Sequence, residues 1–155
     1  MRTSTPIRRR SGSWALGLAT LAAFASSSAE AGEKRVTIGE VSSNVVRTGV
    51  DYESIVRAAS EEELRALDLS RVPRGKRVIV SVALVRLDTL AEPPATDTTC
   101  EVSATLREAK GGTVFAILEG KARAKSGGAP GAVESTAVHG ALRGALARIP
   151  EVLRH

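Results

Sequence analysis

Residues 77–88, Arg-Val-Ile-Val-Ser-Val-Ala-Leu-Val-Arg-Leu-Asp, constrain the fold more than any other part of the chain. Spelled as a strand, they put Val78, Val80, Val82 and Leu84 on one face and Ile79, Ala83, Val85 and Leu87 on the other. A strand that is apolar on both faces belongs in the middle of a sheet, or has one face under helices and the other under a partner. A central strand in a well-covered sheet is the simpler reading, and an interaction surface is the sharper one.

The chain around it supplies the rest of such a sheet. In residues 100–107, Cys100, Val102, Ala104 and Leu106 alternate with Glu101, Ser103, Thr105 and Arg107, the pattern of a half-buried antiparallel strand. Lys110-Gly111-Gly112 supplies a turn with positive φ. Residues 113–124 return with Val114, Ala116, Leu118, Gly120, Ala122 and Ala124 on one face and Phe115, Ile117, Glu119, Lys121 and Arg123 on the other. The small side chains at 116, 120, 122 and 124 predict close approach by a helix. Residues 36–41 read as a first short strand. Residues 89–99, with Pro93-Pro94 and four threonines, read as an exposed loop.

Two helices complete the order. The first is expected from about 48–51 to 67 on the spacing of Tyr52, Ile55, Val56, Ala59, Leu64 and Leu67. Ser60-Glu61-Glu62-Glu63 has the form of a capping box and predicts a break at Ser60, with the three glutamates solvated. The last helix is expected over about residues 132–149, with Val133, Ala137, Val138, Ala141, Leu142, Ala145, Leu146 and Ile149 as its apolar stripe. Gly140 and Gly144 would let it lie close on the sheet. The order β-α-β-β-β-α predicts an α+β fold, a two-layer sandwich with a mainly antiparallel sheet and the helices on one face.

Residues 1–31 read as an address outside this fold. Arg2, Arg8, Arg9 and Arg10 precede an uncharged run from Trp14 to Ala25, and small residues ending in Ala29-Glu30-Ala31 form an A-x-A cleavage pattern. The expected organisation is a signal peptide over 1–31 and one exported domain over 32–155, periplasmic or secreted. No later apolar run is long enough for a membrane span, and no cysteine follows the apolar run to carry a lipid.

The whole chain has 22 Lys+Arg and 17 Asp+Glu. Residues 1–31 hold four of the cations and one carboxylate, so the remainder is near +2 instead of +5. With only Tyr52 and Phe115 as aromatic residues there, nucleic-acid binding is not expected. The lone Cys100 excludes an internal disulfide, and its phase places it on the apolar face of a strand.

No constellation for catalysis stands out. His139 lies within the last helix and His155 ends the chain, so a Cys100–His139 pair is the only thiol–imidazole combination besides the terminus, and nothing marks an oxyanion hole. Metal ligands lack short-range pairing, and Gly111-Gly112 and Gly127-Gly128 lack the context of a phosphate loop. The expectation is a non-enzymatic protein with no cofactor or metal. Its partner would be an unidentified envelope protein bound through Phe115, Ile117, Lys121 and Arg123. The alternative is a small ligand-binding protein or hydrolase using Arg86, Asp88, Glu92 and Asp97 around residues 88–99.

The order of elements, with residues 77–88 and the hairpin ending at Ala124, resembles small accessory domains of the bacterial envelope. These are the TolB amino-terminal domain and the penicillin-binding-protein activator and curli-secretion lipoproteins. The resemblance covers most of residues 32–155, implies a helix-backed sheet used for protein contact in the periplasm, and transfers no functional residue.

Overall fold

The computed structural model describes residues 35–70, 72 and 75–154. The signal peptide expected over residues 1–31 lies outside them, as do Pro73 and Arg74. Seven elements follow one another: β1 (Val36–Ser43), α1 (Tyr52–Ala66), β2 (Val78–Glu92), β3 (Ala95–Glu108), β4 (Val114–Ser126), α2 (Pro130–Leu146) and the short α3 (Ile149–Val152). The sheet order is β1-β2-β3-β4, with β1 parallel to β2 and the other pairs antiparallel. The expected α+β sandwich with β-α-β-β-β-α order is therefore present, with α3 added after the last helix.

Alternation decides which face is covered. In β3 every second residue, from Thr96 to Leu106, is buried, and in β2 the buried set starts Val78, Val80, Val82, Leu84. These meet Leu142, Leu146, Ile149 and Leu153 from the helical layer in one aliphatic core, with Tyr52 as its aromatic member. Each such side chain removed from water contributes about 1.5–3 kcal/mol. Cys100 joins them, fully buried between Leu87 and Ala122. Burial, assisted by Glu101, pushes its thiol up to about 12.

Four expectations are corrected. Residues 89–99 are not a loop, because β2 runs to Glu92 and β3 starts at Ala95. Pro93 and Pro94, joined by a cis bond, make the whole turn. The threonines that suggest a loop are β-branched residues suited to strands, and Thr89 pairs with Thr98 across the ladder. Second, a register shift between Leu84 and Arg86 moves Leu87 to the core face while Val85 stays exposed, so β2 is not apolar in strict alternation to its end. Third, α1 is continuous. Asp51 caps it by accepting from the Ser54 amide at 3.1 Å, and Ser60 is buried in its interior. The last helix starts earlier than expected, at Pro130, a position that suits proline's fixed φ and missing N–H.

The small-residue reading of β4 holds. A Cβ on Gly120 would lie 2.0 Å from the Ala141 carbonyl oxygen, and one on Gly140 would lie 3.0 Å from the Ala122 Cβ. Gly144 has open space beside it and does not serve this contact. Gly111 and Gly112, at φ 93° and 70°, form the predicted β3–β4 turn.

Candidate interaction surface

With α1 and α2 on one side, the opposite face of the sheet has no described element over it. Its centre is small and polar: Ser81 and Ala83 on β2 lie beside Thr105 and Ser103 on β3. All four are half-buried, as expected for an antiparallel sheet with one face toward water. Towards the β2–β3 turn the face is charged and paired. Lys121 Nζ lies 3.1 Å from Glu101, and Arg123 Nε donates to Asp97 at 2.8 Å. The hydrogen bond from Arg123 lowers the Asp97 carboxyl below its usual range. Arg86 pairs with its neighbour Asp88.

At the opposite end of β4 the surface is apolar. Val114, Phe115 and Ile117 are 52%, 42% and 63% exposed. A register shift between Leu106 and Arg107 leaves Phe115 with no residue opposite, since Arg107 pairs with Val114 and Leu106 with Ala116. Such a bulge re-aims side chains at a sheet edge. Beside it opens a cleft of about 930 Å³. Val78, Ala116, Leu118 and Val152 line its inner side; Phe115 and Ile117 line its outer side. Lys76, Arg77, Lys110 and Glu108 lie at its rim. A second cavity of about 490 Å³ sits between β1 and the end of α1.

The expected surface therefore divides. Phe115 and Ile117 lie together and uncovered among the described residues. Lys121 and Arg123 belong to the other half of β4 and are held in cross-strand ion pairs. Lys76, Lys110 and Val152 escaped the sequence reading, because each comes from a different segment and only the folded sheet end gathers them. The alternative site at residues 88–99 does not converge. Those residues are strand, Asp97 is engaged by Arg123, Asp88 by Arg86, and neither cleft is lined by them. Cys100 and His139 also stay apart in role: the thiol is in the sheet core, while His139 Nδ1 lies 3.2 Å from Glu63.

Two buried carboxylates brace the helical layer. Glu63, expected in solvent, is only 6% exposed and accepts from Arg143 Nε and Nη2 at 3.0 Å each, joining α1 to α2. The Arg143 hydrogen bond pulls its carboxyl down against the opposing effect of burial, and His139 adds to the shift. Glu134 accepts from Arg47 at 2.7 Å, Thr89 at 2.7 Å and Tyr52 at 3.3 Å. Burial pushes Glu134 up, but the hydrogen bonds from Arg47 and Thr89 outweigh it and the net direction is down. Both carboxylates have their partners within the fold, which is the arrangement of a structural brace.

No protein-family model matches the chain, and no curated protein matches it by sequence. Solved structures are similar to it. A variant of PelC, a dodecamer from Paraburkholderia phytofirmans, is 16% identical with a TM-score of 0.52, over 74% of this chain and 87% of that one. Protein XCC0632 from Xanthomonas campestris is 14% identical with a TM-score of 0.48, over 74% and 80% of the two chains. Lipoprotein GNA1162 from Neisseria meningitidis is 8% identical with a TM-score of 0.40, over 65% and 90%. These are other proteins than those the sequence pattern resembles, and the likeness to PelC is one of fold. Among the described residues, no helix is long and apolar enough to cross a membrane.

Proposed function

We propose that this chain is an exported, non-enzymatic domain of the cell envelope that binds another protein through its open sheet face and the β4 edge. The observation that carries this reading is the uncovered apolar group of Val114, Phe115 and Ile117 beside the cleft. Exposed apolar side chains that stand together at a concave edge favour a contact site over a purely solvated surface. The address in residues 1–31 supports export. PelC, which shares the fold, is a dodecamer, so a second copy of this chain is one of the partners to be considered.

The test is a crosslinking capture from the envelope fraction, comparing the wild type with Phe115→Asp. Circular dichroism checks that the fold is retained, and sedimentation velocity checks for self-association. One specific partner, or a defined oligomer, that the substitution abolishes supports the reading. A protein that stays monomeric and captures nothing, or captures the same set with the substitution, contradicts it.

A further inference from the structure

We propose that residues 114–118 of β4 form a strand-addition site for an extended segment of the partner that alternates apolar and acidic side chains. This rests on the protein-binding reading above and specifies how the partner is held. β4 ends the sheet, so the outward amides and carbonyls of its backbone are a template for one more strand. The sheet's two ends differ in how far that template is blocked. On β1 the register shifts between Ile38 and Val41, and Arg57 Nη1 donates to the Gly39 carbonyl at 3.2 Å. On the far half of β4, Lys121, Arg123 and Lys125 place charge along the edge, a common protection against pairing. Residues 114–118 carry no charge.

The cleft fits what an added strand would present. Its side chains alternate between the two faces of the sheet. Those on the helix side would enter the space lined by Ala116, Leu118 and Val152, and those on the open side would meet Phe115 and Ile117. The rim sets the charge preference, because Lys76 and Lys110 stand there against the carboxylate of Glu108. The rim charges favour an acidic segment and disfavour a basic one.

The experiment titrates the purified protein against a fluorescein-labelled, end-capped peptide of alternating valine and glutamate, read by anisotropy. Two isomers are N-methylated on alternate amides, one on the odd and one on the even positions. A strand paired along β4 directs only one of these sets at the protein. The expected result is saturable binding that one isomer loses by about tenfold or more while the other keeps it. Ile117→Glu is expected to weaken binding by about tenfold, and the exposed Lys110→Glu by about threefold with reduced salt dependence. The second variant keeps the test informative if the first fails to fold. Equal binding by both isomers, no binding at all, or equal binding of a valine–lysine peptide overturns the proposal. Those failures leave the protein-binding reading standing if Phe115→Asp still abolishes capture from the envelope, which would place the contact on the open face instead of the edge.

Discussion

The two edge strands of this sheet are built differently, and the difference bears on the proposed partner site. β1 spans 8 residues, is interrupted by a bulge and has a carbonyl occupied by Arg57. β4 spans 13 residues, packs tightly under α2 at Gly120, is charged and ion-paired in one half, and leaves Val114, Phe115 and Ile117 in water in the other. An unpaired edge is a liability that folds usually suppress. Here one edge is interrupted at its middle and the other is charged along one half, so the uncharged half of β4 is the place to look for a partner.

The largest expected effect tests how β4 is seated. Gly120→Ala would set a Cβ 2.0 Å from the Ala141 backbone oxygen, so α2 must lift. We expect a loss of about 3 kcal/mol in urea unfolding. Gly39→Ala on β1 meets the Ile79 Cγ2 at 2.5 Å instead. A side chain can turn aside, and the expected loss is about 1 kcal/mol. Equal costs at the two positions would erase this part of the contrast between the edges.

Acid acts on both edges together, because Glu63 ties α1, which covers β1, to α2, which covers β4. Glu63 and Glu134 both have carboxyls held below the ordinary value of a glutamate in the unfolded chain. Their contribution is therefore fully present above that unfolded value and is lost as pH falls through the lower folded values. The urea midpoint should drop as pH falls below about 5, and Glu63→Gln should flatten that slope while lowering the midpoint at neutral pH. An unchanged slope would mean that Glu63 is not a titrating brace. The smallest effect on stability is expected where the effect on binding is largest. Phe115→Asp and Ile117→Asp alter exposed side chains and should shift stability by no more than about 0.5 kcal/mol, while abolishing capture of the partner. A large loss of stability would show that this strip belongs to the core.

Much of this architecture is legible in the sequence because period and turn chemistry agree. The alternation of residues 100–107 and 113–124 about Gly111-Gly112 gives the hairpin, and the small residues of β4 correctly predict the close helix. Composition misleads at residues 89–99, where prolines and threonines resemble a loop although only Pro93 and Pro94 turn. The bulge that sends Leu87 inward has no local mark, and neither has the Glu63–Arg143 pair, whose members lie 80 residues apart. Of the surface residues, Phe115 and Ile117 are identifiable because their strand face turns from apolar to charged. The rim at Lys76 and Lys110 is visible only once β2, β3 and β4 are side by side.

The most direct test places a photo-crosslinking amino acid at Ile117 on β4 and, separately, at Glu40 on β1, and irradiates intact cells producing each protein. The account predicts one discrete adduct from position 117, reduced by Phe115→Asp in the same chain, and none from position 40. Adducts of equal yield from both edges, or an adduct from position 40 alone, would contradict it.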